Sequence, residues 1–195
     1  MNFLAHIYLS SDHPKIMVGN FIGDFVKGRN LLEQFEPDIA KGIELHRVID
    51  LFTDTHPVVK QSKMKLRAKY RHYSAVIVDV YYDHFLAKFW TDYHPVLLPV
   101  YADQVYQIIE THRPILPEEV KRFLPYMIKG NWLVNYGTLA GIEQALTGLA
   151  KRTRYESKME QSVNELEEFY PEFKLEFQSF FPDLKLHAEE FLKGA

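Results

Sequence analysis

Histidines and aspartates recur at helical spacing in this chain: His46 with Asp50, Asp50 with Asp54, and Asp79 with Asp83, which His84 follows directly. Residues four apart lie on one face of a helix, so each pair points in one direction. Such pairs let a helical protein hold a divalent cation, or else a buried hydrogen-bond network. A carboxylate buried with neither costs several kcal/mol. His6 and Asp24 join the set because each is embedded in apolar sequence, Phe3-Leu4-Ala5-His6-Ile7 and Phe21-Ile22-Gly23-Asp24-Phe25-Val26. His6, Asp24, His46, Asp50, Asp79 and Asp83 therefore point to one shared polar or metal site. The chain has no cysteine, which removes thiolate metal sites, disulfides, iron–sulfur clusters and cysteine nucleophiles. A metal would rest on histidine, carboxylate and water, ligands that suit Mn²⁺, Fe²⁺ or Mg²⁺ and tolerate Zn²⁺.

The elements that must position these groups read as helices almost throughout. Asp12 and Pro14 begin a helix carrying Met17, Phe21 and Asp24 that stops by Gly28. A second runs from about Pro37 to Thr55, where His56-Pro57 ends it. On its wheel Ile39, Ile43, His46 and Asp50 form one stripe, so His46 and Asp50 face inward. Tyr73 to Trp90 is apolar nearly all round and reads as a central buried helix. Its Val76, Asp79, Asp83, Leu86 and Trp90 share a face, and His84 points roughly 100° away from Asp83. Further helices are expected over 100–113, 118–136 and 141–152. An amphipathic stretch over 155–170 and a last helix carrying Phe173, Phe177, Phe180, Leu184 and Phe191, interrupted near Pro182, complete the reading. The expectation is an all-α, single-domain helical bundle spanning 1–195.

Other features exclude function classes. A net charge of −3 gives no overall basic field for nucleic acid. No apolar run approaches the ~20 residues of a membrane span, and the N-terminal residues lack the pattern of a secretory signal, so a cytoplasmic protein is expected. There is no Walker loop, no Gly-rich dinucleotide fingerprint and no Gly-x-Ser-x-Gly elbow.

Four segments together carry a family resemblance: Asn2-Phe3-Leu4-Ala5-His6; Gly19-Asn20 through Asp24-Phe25-Val26-Lys27-Gly28; His46-Arg47-x-Ile49-Asp50-x-x-Thr53-Asp54; and Asp83-His84-Phe85-Leu86. In order and spacing they resemble the bacterial acyl carrier protein phosphodiesterases, and Trp132-Leu133-Val134 with Lys151-Arg152 looks similar farther on. That family is similar to the HD superfamily of metal-dependent phosphohydrolases, so the resemblance implies an HD-like helical fold. The adjacent His-Asp doublet of that superfamily is absent here; His46-x₃-Asp50 and a reversed Asp83-His84 stand instead.

The resemblance implies hydrolysis of the phosphodiester joining 4′-phosphopantetheine to a serine of holo-acyl carrier protein. It implies a divalent ion, with Mn²⁺ foremost and Mg²⁺ or Fe²⁺ as alternatives, held by some of His6, Asp24, His46, Asp50, Asp79 and Asp83. Asp50 and His84 are then the expected catalytic residues, His84 as the acid that protonates the departing serine oxygen. Arg47, Lys151 and Arg152 are expected to bind phosphate, with Arg154 as a further candidate. Lys60, Lys63, Lys65, Arg67, Lys69 and Arg71 form a basic run with no acidic residue between Asp54 and Asp79. On a generic helix this would be a solvated face, but beside such a site it suits docking of an acidic carrier protein. A metal-dependent hydrolase of a nucleotide or other small phosphoester, and a non-catalytic helical binding module, remain open as alternatives.

Overall fold

The computed structural model describes residues 2–194. Among them all regular structure is helical: α1 (Phe3–Tyr8), α2 (Pro14–Ile22), α3 (Pro37–Thr55), α4 (Pro57–Tyr70), α5 (Ser74–Lys88), α6 (Leu98–Thr111), α7 (Glu118–Lys129), α8 (Trp132–Asn135), α9 (Leu139–Ala150), α10 (Val163–Glu168) and α11 (Tyr170–Gly194). Short 3₁₀ turns join several of them. One continuous core holds the bundle together, and α5 runs through it with Ile77, Val78, Tyr81, Tyr82, Phe85 and Leu86 fully buried. That is why its sequence shows little amphipathic pattern. None of the helices among the described residues is long and apolar enough to cross a membrane.

The α2–α3 pair builds the site. A Cβ on Gly19 would lie 2.1 Å from the Ile39 carbonyl oxygen, and one on Gly42 would lie 2.1 Å from that of Ile16. Only paired glycines let the two backbones come this close, and the approach brings the end of α2 against the His46 turn of α3.

Several sequence expectations are corrected. The first long helix does not continue to Gly28; it ends at Ile22 and tightens into a 3₁₀ turn over Gly23–Phe25, where Gly23 lies so close to the His46 ring that a Cβ would meet it at 2.2 Å. The helix expected over 118–136 is two pieces, broken where Asn131 adopts a left-handed conformation with φ 43°. The stretch over 155–170 becomes α-helical only from Val163. Pro182 does not interrupt the last helix, which runs unbroken through it. The ring and the Gln178 carbonyl it deprives of a donor both lie at exposed positions, while Phe180, Phe181 and Leu184 beside them are buried in the core.

Candidate metal centre and cavity

His6 on α1 and His46 on α3 stack face to face, with ring centroids 3.9 Å apart and 14° between planes. Asp50, one turn beyond His46, spans both rings: Oδ1 lies 3.2 Å from His6 Nε2 and Oδ2 lies 3.2 Å from His46 Nε2. Asp24, on the 3₁₀ turn after α2, brings Oδ1 within 3.2 Å of His46 Nε2 from the solvent side. One ligand atom each from His6, His46 and Asp50 can be chosen so that all lie within 4.8 Å of one another. The three side chains could thus hold one metal ion, with Asp24 at its flank.

The hydrogen bonds behind the rings fix their tautomers. Asn20 Nδ2 donates to the His6 carbonyl at 2.7 Å and to Ser10 Oγ at 2.9 Å, so Asn20 Oδ1 must be the acceptor from His6 Nδ1 at 2.8 Å. The Asn20 main-chain oxygen accepts from His46 Nδ1, also at 2.8 Å. Both Nδ1 atoms therefore carry protons, and in the neutral form of each ring the Nε2 lone pair turns toward the carboxylates. Among the described residues neither buried Nε2 has a hydrogen-bond partner of regular geometry; what each faces is carboxylate oxygen at 3.2 Å. Two lone pairs facing a carboxylate repel it unless a cation or a proton lies between. This donor set fits a divalent ion.

A proton fills that role in the metal-free protein. Burial lowers the His46 pKa, but the carboxylates of Asp24 and Asp50 outweigh it and raise the group to about 9. Burial and the neighbouring His46 hold His6 down at about 4, so His6 stays neutral. Burial would raise Asp50, yet the two imidazoles keep it well below the usual carboxylate range, and Asp24 is lowered by His46. Because His46 is protonated at pH 7, a metal ion must displace about one proton. Apparent metal affinity is expected to rise about tenfold per pH unit through neutrality and level off near pH 9. Calorimetric titrations with Mn²⁺ in buffers of different ionisation heat would read the proton released; an affinity independent of pH would contradict the assignment.

Asn20 is the site residue that sequence reasoning named only inside a motif and gave no role. Its amide and carbonyl orient both histidines, and Asn20→Ala is expected to weaken Mn²⁺ binding about 10–100-fold without unfolding the chain. Equilibrium dialysis of variant and parent would check it. Its presence in the Gly19-Asn20 segment was the available signal.

Asp50 and Asp24 open onto a cavity of about 660 Å³. Thr53, Asp54, Val76 and Asp79 line it from α3 and α5; Trp132, Asn135 and Tyr136 line it from α8 and its end; Gln144, Ala145, Gly148, Lys151 and Arg152 line it from α9 and its end. Burial raises the Asp79 carboxyl above its ordinary range. Thr53 also lines the cavity, and its buried hydroxyl has no hydrogen-bond partner among the described residues.

The structure separates the remaining sequence candidates. Asp83 is fully buried, outside the His6–His46–Asp50 cluster: Oδ2 accepts from Leu4 N at 2.8 Å and Oδ1 from Ala5 N at 3.1 Å, capping α1 and holding His6 in place. Burial pushes it up to about 7 against the pull of those two donors. His84 does not face the cavity. Its Nδ1 donates to the Tyr136 carbonyl at 2.8 Å and its Nε2 accepts from the Tyr170 hydroxyl at 2.9 Å, while burial lowers its pKa. Both nitrogens thus bind helices together, and this placement lends the general-acid role no support. Arg47 Nη2 donates to the Gly28 carbonyl at 2.8 Å and to that of Val26 at 3.4 Å, pinning the segment after Asp24. Lys151 and Arg152 line the cavity, and the Arg152 guanidinium sits 5.7 Å from the Phe123 ring centroid.

The basic run divides. Lys63 pairs with Asp54 at 2.6 Å, Lys69 with Glu165 at 2.7 Å, and Lys65 with Glu176. Lys60, Arg67 and Arg71 are exposed.

A family model described as acyl carrier protein phosphodiesterase matches residues 1–184. Proteins named acyl carrier protein phosphodiesterase are similar over most of their length. The one from Photorhabdus laumondii is 34% identical over 174 residues, covering 89% of this chain and 87% of its own. Those from Yersinia pestis (34% over 171 residues; 87% and 88% covered) and Escherichia coli (33% over 180 residues; 91% and 92% covered) agree. No solved structure matches the chain.

Proposed function

The chain belongs to the acyl carrier protein phosphodiesterase family, and from that premise we propose that it hydrolyses the phosphodiester between 4′-phosphopantetheine and the serine of holo-acyl carrier protein at the His6–His46–Asp50 centre. The observation that carries this reading is the pair of buried, unbonded Nε2 atoms converging with Asp50 at the edge of a cavity. Asn20 keeps both imidazoles in the ligating tautomer. A divalent cation, for which Mn²⁺ is the foremost candidate, supplies when bound the charge that activates water and offsets negative charge on the phosphoryl oxygens.

The rest is work for the chain's own groups. Water oxygen joins phosphorus as the bond from phosphorus to the serine oxygen breaks, leaving a phosphomonoester on the pantetheine side and needing a proton on the serine side. Asp79 is the proton donor in this account, because it lines the cavity and burial favours its neutral form. Lys151 and Arg152 hold the phosphate from the α9 side. Lys60, Arg67 and Arg71 remain to meet an acidic carrier protein; Arg71 lies shortly before Ala75 and Val76, which line the cavity.

Incubating purified protein with holo-carrier protein and following the intact mass tests the reading. The carrier should lose one 4′-phosphopantetheine group, a chelator should stop the loss, and added Mn²⁺ should restore it. An unchanged carrier mass with Mn²⁺, Mg²⁺ or Fe²⁺ supplied would overturn it.

A further inference from the structure

The cavity is far larger than a phosphodiester group needs; about 660 Å³ lies within the range, roughly 300–1,000 Å³, that takes a small organic molecule. Helix α9 and its end form its long wall, from Gly141 to Arg152, which at helical rise extends about 16 Å. Two glycines on that wall differ in kind. A Cβ on Gly141 would meet the Asn135 carbonyl oxygen at 1.9 Å, so packing explains its presence. A Cβ on Gly148 would meet nothing within 4 Å. Glycine inside a helix costs about 1 kcal/mol relative to alanine, and no neighbour demands it here. Gly148 is an exposed residue that lines the cavity, and a side chain there would enter open space.

The walls also have a chemistry. Phe25, Val76, Trp132 and Ala145 offer apolar surface, Gln144 offers a solvent-exposed side-chain amide, and Thr53 adds a buried hydroxyl with no partner among the described residues. A slender ligand of alternating methyl and amide groups matches such a lining. Resting on the phosphodiesterase reading, we infer that the α9 wall binds the pantetheine arm of the substrate, and that Gly148 sets the room for it. With the scissile phosphate at the metal centre, the folded carrier protein must stay outside the cavity, whereas the arm on the other side of phosphorus can enter. Its gem-dimethyl group would lie on the Trp132–Val76 surface and its amides beside Gln144.

Pantetheine itself is the probe, since it lacks the phosphate that a metal centre would hold. Titrated into the Mg²⁺-loaded full chain, it should shift the amide NMR signals of α9. Gly148→Leu should weaken that binding at least about tenfold, the scale of a side-chain-sized change in a pocket, and leave Mn²⁺ affinity unaltered. Gly148→Ala, the smaller change and a better helix former, should give a lesser loss in a fold whose thermal melting is retained, which keeps the test open if the leucine variant does not fold. Absence of pantetheine binding to the parent chain, or equal binding to parent and Gly148→Ala together with Gly148→Leu, would overturn the inference. Failure of the parent to hydrolyse holo-carrier protein would instead sink the functional reading, and the pantetheine titration would still decide the subsite.

Discussion

Replacing Asp50 with Asn is expected to lower hydrolysis of holo-carrier protein by about three orders of magnitude or more. Asp50 is the only side chain within 3.2 Å of both histidine Nε2 atoms among the described ion pairs, so it ties His6 to His46. An amide of the same size keeps the shape and removes the charge that a divalent ion would balance. Metal assistance supplies several kcal/mol to phosphoryl transfer, and each 1.4 kcal/mol is about tenfold in rate. The loss should appear in turnover and in Mn²⁺ affinity together, and the metal-free variant should still fold but melt lower, because Asn no longer balances protonated His46. Full turnover in Asp50→Asn at ordinary Mn²⁺ concentration would rule out this centre.

Asp79→Asn should show the second large effect, a fall of about 10²–10⁴-fold on holo-carrier protein. The serine oxygen leaves poorly as an alkoxide, so removal of its proton donor is felt in full. Bis(p-nitrophenyl) phosphate expels a stable nitrophenolate without protonation and should be far less affected. Because burial raises the Asp79 carboxyl, its acid form persists above the ordinary carboxylate range and is lost as pH rises through the raised value. Turnover of holo-carrier protein should therefore fall on that limb, and the limb should vanish in Asp79→Asn. His84→Ala offers the contrast. With both ring nitrogens tying α5 to Tyr136 and Tyr170, it should lower stability and weaken both substrates alike. A leaving-group dependence in His84→Ala and none in Asp79→Asn would return the acid role to His84.

The legible part of the fold was the part with strong local punctuation. Pro37 and His56-Pro57 bracket α3, and the observed bounds are Pro37–Thr55. Where the stop is conformational, as at Asn131, or where tertiary packing overrides a breaker, as at Pro182, local sequence carries little sign of it. The site shows the same division. A helical stripe reports direction, so it placed His46 and Asp50 together on one face, where the structure has them. It does not report depth or what waits at the other end. Asp83 turns inward onto the N–H groups of Leu4 and Ala5, 79 and 78 residues earlier. The basic run between Lys60 and Arg71 looked uncompensated because Glu165 and Glu176, which pair with Lys69 and Lys65, lie about a hundred residues downstream. Asn20 is neutral and off the His/Asp periodicity, so pattern alone gave it no function.

Pulsed EPR on the Mn²⁺-loaded protein addresses the centre most directly, since couplings from imidazole nitrogen count the histidines on the ion. Two such nitrogens are expected in the parent chain, one in His6→Ala and one in His46→Ala, with Asn20→Ala altering their strength. A spectrum without imidazole nitrogen, or one that neither histidine substitution changes, would contradict a metal centre built on His6, His46 and Asp50.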